Sequence, residues 1–357
     1  MPEHAPFDMR RRDVLGGVAA AVAGACLASP AKPSGGPGWS MVDLKKVEAE
    51  AKRLNLVALM VRQAGRDIVS YGDPGQVCGV HSMRKSFVSA LFGQAIASGK
   101  IDISQTLGDL GIDDDPPLTV IEKRATIEDL LKARSGIYLP LAAGIKPLIE
   151  PPARGAYAPG THWSYNNWDF NAVGEIYRRL TGKGVFEAIQ HNIAAPLGMQ
   201  DFDPYRDGSY VFAADGLGAT SRYPNYRLSL SARDQARFGE LYLRRGKWQD
   251  HQIVPAAWVA RSLVPYSATG QPGSASGYGY LWWVGAISVG DSQLSVFSAV
   301  GAYGHVVAIL PDLDTVIVIQ PDTDGTPAYP LTATQTDALI ASIAAAHPQR
   351  IVSGEPQ

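Results

Sequence analysis

Only two cysteines, Cys26 and Cys78, occur in the 357 residues. Cys26 lies in an N-terminal segment expected to be removed, so no internal disulfide is open to the mature chain. There is no surplus of charge of either sign: 32 Lys and Arg stand against 34 Asp and Glu, a formal net charge of −2. A basic face for a phosphate backbone is not expected, which excludes nucleic acid as a partner. The seven His show no H-E-x-x-H or comparable ligand spacing, so neither a metal site nor a cofactor is predicted. G-x-S-x-G is absent too, which argues against an α/β-hydrolase. Outside one N-terminal stretch, no apolar run approaches the roughly 20 residues of a membrane span.

That stretch follows Arg10-Arg11-Arg12-Asp13-Val14-Leu15 and runs through Gly, Ala and Val to Ala28, with small residues before Ser29-Pro30. A basic, apolar, small-residue order is that of an export signal, and it is too short to remain in a bilayer. Arg11-Arg12 followed by Asp13-Val14-Leu15 has the form of a twin-arginine signal. Residues 1–36 are read as signal peptide and linker, and the mature protein as exported, periplasmic or secreted. Cleavage after Ala23-Gly24-Ala25 would place Cys26 at the new N-terminus, where a lipid anchor could attach. Ala23 in place of a larger aliphatic argues against that anchor. Cys78 reads as a buried small residue.

With 46% hydrophobic residues the remainder can bury one large core. Helical spacing over 41–55 and short β-rich runs at 56–61 and 67–71 predict a helix followed by a hairpin. A buried helix is expected over 82–98, with Ser82 as its N-cap. Further helices are expected at 126–134, 168–181, 231–245 and 255–264, with Thr126 capping the first. Strand-like runs follow at 278–284, 293–299, 306–310 and 315–320, then a last helix at 331–346. The fold class is therefore α+β: an antiparallel sheet shared by both ends of the chain and flanked by terminal helices. An all-helical subdomain is inserted at about 101–265, within a unit spanning 41–346 and followed by a tail at 347–357.

Ser82-Met83-Arg84-Lys85 carries the chemistry. Residues three apart on a helix share a face, so the hydroxyl and the amine can meet. A serine hydroxyl needs a base, and a lysine serves only when desolvation or positive charge lowers its pKa. Phe87, Val88, Ala90 and Leu91 supply an apolar setting. The pattern also occurs as Ser29-Pro30-Ala31-Lys32, where no helix can form, and at Ser82 a plain N-cap competes with the nucleophile. Tyr165-Asn166-Asn167 adds a phenol that can relay a proton and an amide that can hold substrate. Tyr223-Pro224-Asn225 repeats that spacing but reads as an ordinary turn.

The runs SMRKSFVSALFG (82–93) and WSYNN (163–167), with TIEDLLKARSG (126–136), Pro196-Leu197-Gly198-Met199 and Leu230-Ser231-Ala232-Arg233-Asp234, resemble the serine β-lactamase and penicillin-binding superfamily. The likeness runs over 41–346 and is strongest to class C β-lactamase-like esterases and 6-aminohexanoate-dimer hydrolases. It implies an acyl-enzyme at Ser82, Lys85 as general base and Tyr165 assisting proton transfer. The superfamily's Lys-Thr-Gly or His-Thr-Gly is replaced here by Ser298-Ala299-Val300-Gly301-Ala302-Tyr303-Gly304-His305, with Gly301 at the motif glycine. Alignment then puts the oxyanion hole at the N–H groups of Ser82 and Ala302, each worth about 2.7–4 kcal/mol. Asn167, Gly301, Tyr303 and His305 are the candidate substrate contacts, although His305 also fits a histidine packed at a strand end. His81 is expected to point away from the site. Trp163, Trp168, Trp282 and Trp283 either wall an acyl pocket or belong to the core.

In the superfamily the missing cation helps hold a substrate carboxylate, so its loss favours small-molecule esters or amides that lack one. The rival activities are β-lactamase and D-Ala-D-Ala carboxypeptidase. A rival of another kind is a non-catalytic cell-wall-binding protein on the same fold.

Overall fold

The computed structural model describes residues 38–141, 150–212, 221–322 and 330–348. The expected export signal with Cys26, and residues 349–357 of the tail, lie outside the described residues. The chain begins with α1 (Met41–Arg53), β1 (Leu56–Gln63), β2 (Arg66–Gly72), β3 (Val77–Gly79) and α2 (Arg84–Ala97). Then come α3 (Ile127–Leu131), α4 (Asn167–Thr181), α5 (Val185–Ile189), α6 (Ala195–Leu197), β4 (Gly208–Val211), β5 (Asn225–Ser231) and α7 (Ala232–Leu243). The last third holds β6 (Lys247–Trp248), β7 (His251–Gln252), α8 (Ala256–Ser262), β8 (Ser267–Ala268) and β9 (Gly277–Tyr278). It closes with β10 (Trp283–Val289), β11 (Ser292–Val300), β12 (Val306–Leu310), β13 (Thr315–Pro321) and α9 (Ala333–Ala345).

Eight strands make one sheet in the order β2-β1-β13-β12-β11-β10-β9-β8, and every pairing is antiparallel. Strands β12 and β13 are buried along their whole length. That is why VVAIL and TVIVIQ read as continuous apolar runs, since a strand covered on both faces has no polar side. Val307, Ile309, Val316 and Val318 enter one core with Phe87 of α2 and Phe238 of α7. Their alternates Val306, Ala308, Ile317 and Ile319 enter a second core with Leu44 and Val47 of α1 and Leu339 and Ile343 of α9. Helix α7 lies so near the sheet that a Cβ on Gly239 would sit 2.5 Å from Val316 Cγ1 and 2.9 Å from Val307 Cγ1. A side chain there would push the helix off the strands that support the site.

The α+β architecture, the terminal helices on one sheet face and the hairpin between β1 and β2 agree with the sequence reading. Three details differ. The run 278–284 is two strands rather than one, because the chain turns between β9 and β10 at Leu281, which has φ 61°. The inserted region is not all-helical: irregular stretches join its helices, β4 and β5 join β3 in a second sheet, and β6 pairs with β7. Ser82 does not cap α2, which starts two residues later at Arg84.

Candidate active site

Helix α2 is buried on every face from Arg84 to Gly93, as a segment apolar all round must be. One turn of 3-10 helix, His81–Met83, leads into it, entered through His81 with φ 51°. Side chains three apart nearly eclipse in such a turn. Ser82 is thereby turned toward Lys85 instead of back along the helix. Lys85 Nζ lies 2.7 Å from Ser82 Oγ and 2.8 Å from Tyr165 OH. The lysine is buried while Ser82 is partly exposed. Burial, aided by the adjacent Arg84, holds the Lys85 amine well below the usual ammonium range. Burial also raises the Tyr165 phenol, opposed by its hydrogen bond with Ser82 and by the Arg84 charge. Both shifts favour the uncharged forms, an amine and a phenol.

Tyr165 is held from several sides. Ser164 N–H donates to Ala133 O at 3.0 Å and Gly160 N–H to Arg134 O at 2.8 Å, tying the loop to the chain after α3. Asn166 caps α4 by accepting from Trp168 N–H at 3.0 Å, and its amide donates to Ile137 O and, at 3.1 Å, to Asp169 Oδ1. Ser135 Oγ donates to the same carboxyl oxygen at 2.5 Å. Burial pushes Asp169 well above the usual carboxylate range. The Tyr165 ring stacks on Trp283 at 5.4 Å. Trp163, partly buried, packs against Trp283 and Tyr278 at 6.1 and 5.8 Å. Trp168 and Trp282 are fully buried core residues, and Trp168 Nε1 donates to Asp114 Oδ2 at 2.6 Å. Asn167, partly exposed, is the first residue of α4, two residues from Tyr165.

The opposite wall comes from the end of β11. A Cβ on Gly301 would stand 2.3 Å from Val80 O, so glycine is what lets this strand end reach the turn that carries Ser82. Gly301 N–H donates to His305 O at 2.7 Å, and the exposed Ala302 and Tyr303 form the tip between them. His81, expected to point away, does the reverse. Its ring meets Tyr303 edge-on at 5.0 Å and lies 5.4 Å from the ring of His305. His305 is fully buried and offers no surface to a ligand, which matches the packed strand-end alternative and removes it from direct substrate contact. Burial, with His81 beside it, lowers its pKa to about 3. No Lys or Arg occurs between Ser298 and His305.

Two contributors escaped the sequence reading. Arg84 is almost wholly buried; its Nη1 donates to His81 O at 2.9 Å and its Nη2 to Asn225 Oδ1 at 2.6 Å. The guanidinium also lies 4.6 Å from the centre of the Tyr226 ring. Tyr223-Pro224-Asn225 is therefore no ordinary turn, since Asn225 opens β5 and accepts from Arg84 of α2. The available signal was an Arg inside an apolar run and a duplicated Tyr-x-Asn.

Among the described residues no group of three or more His, Cys, Asp or Glu is placed to hold a metal ion. No described helix is long and apolar enough to cross a membrane.

A Ser–Lys–Tyr cluster between an antiparallel sheet and a helical insertion defines the β-lactamase and transpeptidase class of fold. A family model described as Beta-lactamase matches residues 45–342, and the chain belongs to that family. A D-aminopeptidase of Brucella anthropi is 29% identical over 94 residues, 22% of this chain and 18% of that protein. The chain thus matches less than a fifth of the length of this curated relative. A candidate 6-aminohexanoate-dimer hydrolase from Bacillus anthracis superposes with TM-score 0.63 at 21% identity, covering 85% of this chain and 81% of the other. The octameric penicillin-binding protein homologue from Pyrococcus abyssi gives TM-score 0.62 at 16% identity, covering 86% and 78%. At such identities the structural likeness speaks for the fold alone.

Proposed function

We propose that the protein is a serine hydrolase that cleaves carboxylic esters or small amides through an acyl-enzyme at Ser82. The observation that carries this reading is the buried contact of Lys85 Nζ with both Ser82 Oγ and Tyr165 OH, at 2.7 and 2.8 Å. An uncharged amine takes the hydroxyl proton as Ser82 Oγ attacks the carbonyl carbon. The N–H groups of Ser82 and Ala302 receive the oxyanion. Collapse of the tetrahedral species expels the alcohol or amine, which leaves with a proton passed from Lys85 through Tyr165. Water then attacks the acyl group by the same route and frees Ser82. Asn167, Gly301 and Tyr303 border the acyl group, and Trp163 and Trp283 give its pocket an aromatic wall.

Lack of a cation in 298–305 supports substrates without a carboxylate beside the scissile bond. The basic, apolar and small-residue order of residues 1–36 supports export, with the activity exercised in the periplasm or outside the cell. A substrate panel tests the reading: p-nitrophenyl esters, a small anilide, nitrocefin and a D-Ala-D-Ala peptide, each with the mature protein. Ester or anilide turnover well above nitrocefin and peptide turnover is expected. Preference for nitrocefin or the peptide would overturn the substrate assignment, and no turnover of any would favour a cell-wall-binding protein.

A further inference from the structure

Among the described residues, Arg84 is a buried cation with no opposite charge paired to it. Its two acceptors, His81 O and Asn225 Oδ1, are neutral, and its third neighbour is the face of Tyr226. Among the described residues no carboxylate pairs with Arg84 or with Lys85. The ionisable groups around the two cations are His81 from the turn, Tyr165 from the loop before α4, and Tyr226 and Arg227 from β5. All are neutral or positive at neutral pH. A guanidinium keeps its proton even when buried, whereas an ammonium releases one readily. Two adjacent buried cations therefore relax in one direction only, by loss of the lysine proton.

We propose that Arg84 is a positioning residue of this reaction: it ties the Ser82 turn to β5 and, by its uncompensated charge, keeps Lys85 in the unprotonated form that can accept the serine proton. The inference rests on the proposed role of Lys85 as base. Asn225 is the chosen acceptor because its amide oxygen holds the guanidinium without cancelling the charge. Aspartate would hold it equally well and defeat the purpose. In pH terms, Lys85 becomes active on losing a proton, so removing or cancelling the Arg84 charge moves the acid limb of the rate profile to higher pH.

The test is the pH dependence of kcat/KM for a p-nitrophenyl ester, and of fluorophosphonate labelling read by intact mass, in wild type, Arg84→Met and Asn225→Asp. In both variants the midpoint of the acid limb should move up by roughly one pH unit, a tenfold change in the proton affinity of Lys85. Asn225→Asp preserves side-chain shape and the hydrogen bond, so it carries the test should Arg84→Met fail to fold. An Asn225→Asp protein that melts like wild type but keeps the wild-type acid-limb midpoint overturns the inference and leaves the base assignment intact. Wild type that neither turns over ester nor becomes labelled overturns the proposed function, and this inference with it.

Discussion

Arg84 and Lys85 are consecutive and both buried, yet their surroundings treat them in opposite ways. The guanidinium receives two oxygen acceptors from two different segments and lies over an aromatic face, so it remains an ion. Among the described residues, Lys85 meets only hydroxyl groups and the rings of Tyr165 and Phe170, 4.9 and 4.6 Å from Nζ. Each ring face favours a cation by about 2 kcal/mol or more when desolvated, which opposes loss of the proton. Burial and the neighbouring guanidinium outweigh this and hold the amine well below the usual ammonium range. Neither side chain is a base by type. Placement decides which of the two is suited to act as one.

Lys85→Met is the most severe challenge to that contrast. We expect kcat/KM to fall about 10²–10⁴-fold, with a melting temperature equal to or above wild type, because an apolar chain replaces a desolvated amine. Arg84→Met is expected to behave differently in denaturant unfolding: leaving His81 O and Asn225 without their donor costs about 1–3 kcal/mol. Equal stability changes in the two variants would dissolve the distinction between a supported cation and an unsupported base.

His305 is a third buried base and extends the comparison to stability. Its folded pKa of about 3 lies below its ordinary value of 6.5, so the unfolded chain binds the extra proton in that window. Its contribution to stability is complete above about pH 6.5 and is lost as pH falls toward about 3. His305→Gln should flatten the acid side of a melting-temperature profile between those limits. A profile as steep as wild type would mean that other groups govern acid unfolding.

Asp169 reverses the sign, as an acid whose burial favours the protonated form. Asp169→Asn keeps its shape and the acceptor oxygen used by Ser135 and Asn166. The expected cost is small, about 1 kcal/mol or less, with kcat/KM near wild type. A loss of several kcal/mol in urea unfolding would show that an ionised carboxylate is needed there.

How much of this was legible depends on how local each feature is. The α1 helix, the β1–β2 hairpin, α4, α7 and strands β11 to β13 follow from periodicity and caps within single segments. Ser82, Lys85 and Tyr165 were legible because a tetrapeptide and a Tyr-x-Asn loop carry them. Strand β5 was not, since Pro224 just before it reads as a turn. The Arg84 contact was hidden as well: its partner Asn225 lies 141 residues away, and no pattern within either segment announces it. The place of His81 depends on its positive φ and on a strand tip more than 200 residues later. The N-cap reading of Ser82 failed for a related reason, because a 3-10 turn and an α-helical cap look alike in sequence.

Fluorophosphonate labelling of the mature protein near neutral pH, with the adduct located by peptide mass spectrometry, decides whether Ser82 is the nucleophile that Lys85 activates. The account predicts one adduct, on Ser82, absent from Ser82→Ala and formed at least about 10²-fold more slowly in Lys85→Met. An adduct on another residue, or labelling of Ser82 at the wild-type rate without Lys85, would contradict it.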